Sequence, residues 1–263
     1  MKALLALAAV AFLTAPAAAK NISITISQAT RVSDGNLIVN VKVGNSGDEA
    51  ALSVVPTLRF GDKVVRGQGK PSLGPNASFD EALSLPVGAL GEGRWPYRLA
   101  VDYTDANEYP FQALQTQSAI VGNPPPAKVA VPAIKSEDIA GSGTLAVTVK
   151  NLTPDKRTAV VDVLVPDGLE VTGGSRQVTL DGWKEEHIEV PITNRTALVG
   201  SRYPVFVSAQ YDDGSVHQAV VAQGIVSVVG TESFFTRYRR LLLVVAGAVV
   251  LAWLGVLLIR AIR

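Results

Sequence analysis

The chain has 263 residues, a formal net charge of +1, no cysteine and 48% hydrophobic residues. The near-zero net charge argues against a nucleic-acid partner, because such proteins need a positive field that attracts phosphate. Since no disulfide can form, each domain must be held together by its own apolar core.

The N-terminal segment has the pattern of a secretory signal peptide. Lys2 precedes an apolar run over residues 3–13, and the small residues 17–19 follow that run. A basic start, a short apolar core and an Ala-x-Ala ending are typical of such signals. We therefore predict a signal peptide over residues 1–19, in preference to a buried N-terminal helix, and export of the following chain across the cytoplasmic membrane.

The middle of the chain has the pattern of short β-strands. Apolar and polar residues alternate in brief runs, for example over residues 22–26, 37–43 and 98–103, and Gly, Pro, Asn and Asp separate the runs. Alternation with a period of two places successive side chains on opposite faces of a strand. Many short strands at spacings of about ten residues are typical of a β-sandwich.

An internal duplication divides this β-rich region. Residues 37–42 correspond to residues 145–150, and residues 97–105 correspond to residues 203–213. Each first segment is followed by a turn that contains an asparagine. The repetition indicates two modules of the same kind in tandem.

A proline-rich stretch separates the two copies. Residues 122–126 read Gly-Asn-Pro-Pro-Pro, and consecutive prolines favour a stiff polyproline II segment. We predict an all-β fold with one β-sandwich over residues 20–122, a linker over residues 123–126 and a second sandwich over residues 127–231.

The turn motifs of both copies resemble a known class of module. Residues 39–47 contain a strand and an asparagine turn, residues 147–151 repeat that arrangement, and residues 163–171 contain a Pro-Asp-Gly turn. The pattern resembles bacterial immunoglobulin-like modules of the CARDB type and the similar modules appended to glycosidases. The resemblance covers residues 30–121 and 139–229. It implies an immunoglobulin-like fold used for surface display, spacing or partner docking, and it implies no catalytic residues.

The chain offers few residues for catalysis. It has two histidines, His187 and His217, no cysteine, and no serine in a Gly-x-Ser-x-Gly motif. A metal site or catalytic triad built on histidine needs partners that this chain does not supply, and we expect His187 to be a solvated strand residue. The segment 67–70 lacks the spacing and the helix of a phosphate-binding loop. We therefore expect neither enzymatic activity nor a cofactor.

Four aspartates form a candidate calcium site. Asp102 and Asp105 follow a strand in the first copy, and Asp212 and Asp213 occupy the matching position in the second copy. Carboxylates spaced along a turn are suitable ligands for Ca²⁺. Aspartate also initiates hairpin turns, and we favour that simpler interpretation over calcium binding.

Two tryptophans form a candidate glycan contact. Trp95 precedes Pro96, and Trp183 follows an Asp-Gly pair. Aromatic rings of this kind stack on sugars, as expected for relatives of glycosidase-associated modules. The alternative, which we favour, is that each ring packs at a strand edge or in the core of its own sandwich.

A membrane anchor is predicted near the C-terminus. Residues 241–259 carry no charge and are flanked by arginines, and at about 1.5 Å per residue a helix of that length matches the ~30 Å hydrocarbon core of a bilayer. We predict a transmembrane helix over residues 241–259 and a cytoplasmic tail over residues 260–263. The preceding segment, residues 232–240, has the composition of a collar at the membrane interface. The predicted collar residues are Phe234, Phe235, Arg237, Tyr238, Arg239 and Arg240.

Small residues line one face of the predicted helix. Ala248, Ala252 and Gly255 are spaced at i, i+4 and i+7. Such a face permits close helix packing, which favours a dimer or a partner helix.

Together these features predict a single-pass protein of the cytoplasmic membrane with its two sandwiches outside, in the periplasm or at the cell surface. We expect a structural or adaptor protein whose modules bind a protein, or else a glycan, at the cell envelope. The alternative is an accessory subunit of a membrane transport, secretion or assembly complex, with the helix as the main contact.

Overall fold

The computed structural model describes residues 21–230 and Val244. The predicted signal peptide, collar and helix-packing face lie outside the described residues, as does the predicted span apart from Val244. Among the described residues, no helix has the length and apolar character needed to cross a membrane.

The described chain is built from strands joined by turns, so the prediction of an all-β fold is confirmed for this part of the protein. In chain order the strands are β1 (Ile24–Ser33), β2 (Asn36–Asn45), β3 (Ala51–Phe60), β4 (Lys63–Arg66), β5 (Lys70–Leu73), β6 (Ser78–Pro86), β7 (Gly93–Thr104), β8 (Pro110–Val121), β9 (Val129–Ser136), β10 (Ser142–Asn151), β11 (Arg157–Leu164), β12 (Leu169–Val171), β13 (Arg176–Leu180), β14 (Glu185–Asn194), β15 (Arg202–Asp213) and β16 (Val216–Ser227).

Contacts group these strands into two compact units. The first contains the described chain up to Pro86 together with Ala100–Ala113, and the second contains Val87–Leu99 together with the described chain from Leu114 onward. Strands β7 and β8 therefore contribute residues to both units. The domain boundaries given by the sequence duplication stay a prediction.

The first unit has an antiparallel sheet in the order β1-β2-β6, while β3 pairs with β4, β5 and β7. Asp34 and Gly35 connect β1 to β2 with φ values of 51° and 71°, and positive φ at both central residues is what a type I′ hairpin turn requires. The inward side chains of β2 alternate with outward ones and are fully buried, as the period-two pattern predicts. They are Leu37, Val39, Val41 and Val43.

The second unit is a sandwich of two antiparallel sheets. One has the order β12-β14-β10-β9, and the other contains β13-β11-β15-β16. Their facing side chains form one apolar core, with contributions from β10, β11, β14 and β15. Burial of these aliphatic side chains is the main force that holds the two sheets together, since no disulfide contributes.

A buried asparagine ends the second strand of each repeat. Asn45 at the end of β2 and Asn151 at the end of β10 are 2% and 0% exposed. The Nδ2 group of Asn45 donates to the carbonyl oxygens of Glu49 and Leu73, at 2.7 and 3.1 Å, and its Oδ1 accepts from the amide of Gly47 at 3.0 Å. The asparagine thus fastens the following turn to the end of β5.

The second repeat has the same set of bonds. Asn151 Nδ2 donates to the carbonyl oxygens of Asp155 and Leu180, at 2.7 and 3.3 Å, and Asn151 Oδ1 accepts from the amide of Thr153 at 3.0 Å. The partners stand at the same spacing along the chain, two and four residues after the asparagine and at the end of a facing strand. This shared network supports the duplication that the sequence indicates.

We expect Asn45→Ala to destabilise the protein by about 2 kcal/mol, because one buried and several partly buried backbone groups lose their hydrogen-bond partner at once. Urea unfolding of the purified chain, followed by circular dichroism, measures this loss. Asn40→Ala is the matched control, since Asn40 lies on the same strand with an exposed side chain. Equal stabilities of the two variants would refute a special role for Asn45.

Candidate functional site

One predicted site residue, Trp95, packs against a histidine within the second unit. The indole of Trp95 on β7 stacks on the imidazole of His217 on β16, with ring centroids 4.1 Å apart and an interplanar angle of 18°. Trp95 Nε1 donates to the carbonyl oxygen of Gly91 at 3.0 Å. One face of the indole is therefore covered by a neighbouring side chain and is closed to a sugar ring.

The His217 backbone lies against a glycine of β7. The amide of His217 donates to the carbonyl oxygen of Glu92 at 3.1 Å, and a Cβ atom on Gly93 would lie only 2.2 Å from the His217 carbonyl oxygen. The His217 side chain is 18% exposed, and its Nδ1 lies 2.8 Å from Asp212 Oδ1. This histidine thus has a packed environment, whereas His187 is exposed on β14, as expected.

The predicted linker is held by polar side chains of the second unit. Arg94 Nη1 donates to the carbonyl oxygen of Pro125 at 2.6 Å and to Gln218 Oε1 at 2.7 Å, and Gln218 Nε2 donates to the same Pro125 oxygen at 3.1 Å. Gln218 is 1% exposed. The proline segment is therefore fastened by side-chain hydrogen bonds in addition to its intrinsic stiffness.

In the first unit, Asp102 and Asp105 are both engaged by neighbours on the same hairpin. Gln112 Nε2 donates to Asp102 Oδ1 at 2.7 Å, and the amides of Tyr109 and Asn107 each donate to Asp105 Oδ1 at 2.9 Å. The Tyr109 amide, followed by the Asn107 amide, holds the pKa of the Asp105 carboxyl below its ordinary value. Asp105 thus caps the turn between β7 and β8, in the manner of an Asx turn.

In the second unit, Asp213 is paired with two cations. Asp213 Oδ2 lies 2.6 Å from Lys128 Nζ, and Asp213 Oδ1 lies 3.1 Å from Arg157 Nη1. Asp212 contacts His217 instead. Over residues 21–230, no group of three or more His, Cys, Asp or Glu side chains is placed to hold a metal ion.

Trp183 occupies the turn between β13 and β14. Its backbone has φ 59°, its amide donates to the carbonyl oxygen of Thr153 at 2.9 Å, and its side chain is 61% exposed. A left-handed conformation is uncommon for a bulky residue, and a large exposed indole is uncommon on a protein surface. The corresponding turn of the first repeat has Asn76 at φ 57°, and asparagine tolerates this conformation well.

Sequence reasoning missed the role of Glu81. Its carboxylate accepts hydrogen bonds from the amides of Gln68 and Gly69, the latter at 3.1 Å. The glycine-containing loop that superficially looks like a phosphate-binding loop therefore already binds an anionic group of its own chain. Glu81 lies on the same face of β6 as the buried residues Phe79 and Leu83. A charged residue in phase with inward-facing apolar residues was the sequence signal that could have revealed its role.

No protein-family model matches the chain, and neither does any curated protein. Among solved structures, Escherichia coli alpha-2-macroglobulin activated by porcine elastase is similar with a TM-score of 0.33 and 12% identity, over 80% of this chain and 22% of that chain. Salmonella alpha-2-macroglobulin reacted with methylamine gives 0.33 and 13%, over 80% and 16%. The YadV chaperone gives 0.27 and 18%, over 76% and 99%. The chain thus spans less than a quarter of these macroglobulins.

We expect the stabilising effect of Asp213 to depend on pH. Hydrogen bonding from Lys128, together with the charge and hydrogen bond of Arg157, lowers the pKa of this carboxyl from its ordinary 3.8. A depressed pKa in the folded state stabilises the fold above the unfolded pKa, and the effect is lost as the pH falls through the folded value. Asp213→Asn should therefore cost about 1 kcal/mol at neutral pH, and the difference should fade below pH 3.8.

Urea unfolding at a series of pH values measures this difference. Asp181→Asn is the control, because the Lys156–Asp181 ion pair is 67% and 68% exposed and surface pairs of this kind contribute little. A pH-independent effect of Asp213→Asn, or an equal effect of Asp181→Asn, would contradict the prediction.

Proposed function

We propose that the protein is a membrane-anchored adaptor of the cell envelope, whose immunoglobulin-like modules lie outside the cytoplasmic membrane and bind a protein partner. The predicted signal peptide over residues 1–19 and the predicted span over residues 241–259 support the location. The all-β architecture of residues 21–230 supports a binding or spacing role. The expectation of a non-enzymatic protein is part of this proposal.

The observation that carries the docking proposal is the exposed Trp183. A tryptophan at an interface buries a large apolar area at a small cost in side-chain entropy, which is why this residue is enriched at binding hot spots. Here the indole lies on a turn with a left-handed backbone conformation that asparagine adopts more readily, as Asn76 does in the first repeat. Backbone strain that has no structural benefit points to a function for the side chain.

The surroundings of Trp183 favour a protein partner over a glycan. Leu152, next to the residue that binds the Trp183 amide, is 39% exposed. The exposed Lys156–Asp181 ion pair lies on the same turns. An apolar centre with a charged rim is typical of protein interfaces. A sugar platform made with Trp95 is less favoured, because His217 covers one face of that indole.

The alternative proposal is an accessory subunit that binds through the helix. The small-residue face predicted from the spacing of Ala248, Ala252 and Gly255 supports it. Two variants separate the hypotheses. One deletes the modules, and the other exchanges the predicted span for an unrelated transmembrane helix. Loss of the partner only in the module deletion supports the adaptor, and loss only in the helix exchange supports the accessory subunit.

We expect Trp183→Asn to weaken partner binding strongly without harming the fold. Loss of a hot-spot tryptophan weakens a complex by about 30-fold, while asparagine suits the left-handed backbone and leaves thermal stability unchanged or slightly higher. The measurement is quantitative mass spectrometry of proteins that co-purify with the tagged full chain from detergent-solubilised membranes, alongside thermal unfolding of the same preparations.

Val160→Ser is the matched control, because Val160 is an exposed apolar residue on a strand of the same unit. Recovery of the same partner in equal amount with Trp183→Asn and with the unaltered chain would refute docking through Trp183. Enrichment of a polysaccharide in place of a protein, lost in Trp183→Asn, would replace the protein partner by a glycan.

A further inference from the structure

We propose that the loop between β14 and β15 inserts Leu198 and Val199 into the interfacial region of the lipid bilayer. The inference rests on the membrane anchor of the proposed function and adds a second point of contact to it. The binding partner of this apolar loop is the lipid surface, at the depth of the headgroups and the first acyl carbons.

Hydrogen bonds hold the backbone of the loop, yet the loop exposes two consecutive apolar side chains. Ala197 is buried, with its amide bound to Asn194 Oδ1 at 2.8 Å, and the amide of Leu198 donates to the Tyr203 hydroxyl at 2.9 Å. These two bonds hold the backbone before the tip, and a bond from the amide of Gly200 holds it after the tip. Leu198 and Val199 are nevertheless 37% and 65% exposed. A fixed apolar tip needs no ordering when it enters an apolar medium.

The loop lies beside the last described residues of the second unit, which precede the predicted collar. The amide of Gly200 donates to the carbonyl oxygen of Val228 at 2.7 Å, and the amide of Val228 donates to the carbonyl oxygen of Ser201 at 2.9 Å. A Cβ atom on Gly230 would lie 3.3 Å from Val199 Cγ1. The residues that lead toward the predicted membrane span therefore run along this loop.

Few residues separate Gly230 from the predicted membrane interface. Phe234, the first predicted collar residue, follows Gly230 by four positions, and four residues span at most about 14 Å when fully extended. If the ring of Phe234 lies at headgroup depth, the contact between Gly230 and Val199 keeps the loop close to the same layer. The apolar tip can then reach the same surface as the predicted collar.

Charges around the loop favour insertion by apolar contact over attraction to anionic lipid. Arg195 is paired with Glu170, and Arg202 is exposed. The acidic residues Glu137 and Asp138 precede Ile139, whose backbone is hydrogen-bonded to Ser227 and Val229, near the last described residues. With both signs present, we expect insertion into vesicles of phosphatidylcholine alone.

The absence of cysteine from the chain allows a direct test. Val199→Cys is labelled with the fluorophore NBD and the full chain is reconstituted in phosphatidylcholine vesicles, with or without a doxyl-labelled lipid that quenches NBD within the bilayer. Val160→Cys is the matched control, since Val160 is an exposed valine of the same unit on strand β11. Val244→Cys, inside the predicted span, reports the anchor itself.

We expect strong quenching at position 244, quenching at position 199 at least about twofold above that at position 160, and a blue-shifted emission at position 199, as for a group at the interface. Quenching at 244 with equal, low values at 199 and 160 would overturn the loop inference and leave the proposed anchor standing. A blue shift at 199 without lipid quenching would assign the loop to a protein contact and also overturn it. No quenching at 244 would overturn the anchor, and the loop inference with it.

Discussion

The buried asparagine at the end of β2 and of β10 is the interaction on which the ends of both repeats depend. Asn45 and Asn151 each satisfy backbone groups of a following turn and of a facing strand. Hydrophobic burial holds the sheets together but has no direction, so it does not determine how the turns close. A buried side-chain amide with fixed partners determines how the turns close. Asn151 binds the amide of Thr153, and the carbonyl oxygen of Thr153 accepts a hydrogen bond from the amide of Trp183.

Local patterns were enough to predict an all-β fold and several of its strands, but not these networks. The alternation over residues 22–26, 37–43 and 98–103 corresponds to β1, β2 and β7, because period two reflects which face of a strand is buried. The duplication also aligned the two asparagines. Their role was out of reach, since the decisive partners Leu73 and Leu180 lie 28 and 29 residues away along the chain.

The candidate site was less predictable, because its residues depend on long-range neighbours. The sequence placed Asp213 in a turn, but Lys128 and Arg157, which neutralise it, come from distant parts of the chain. From the sequence, Trp95 and Trp183 had the same two interpretations, an exposed glycan contact or a packed side chain. Only the stack on His217 and the left-handed turn distinguish them, and neither has a local sequence signal apart from the Asp-Gly pair before Trp183.

Strand β14 gives the proposed functions a common geometry. Trp183 lies on the turn that precedes Glu185–Asn194, and the Leu198–Val199 tip lies on the loop that follows. Ten residues of antiparallel strand measure about 34 Å, so one element separates the two tips by roughly that distance. If the Leu198–Val199 tip rests in the bilayer interface, this tip and the predicted span together fix the orientation of the sandwich. The indole of Trp183 then stands at a fixed height above the lipid. A rigid spacer of this kind presents a docking residue to a partner beyond the headgroup layer without any conformational change in the module.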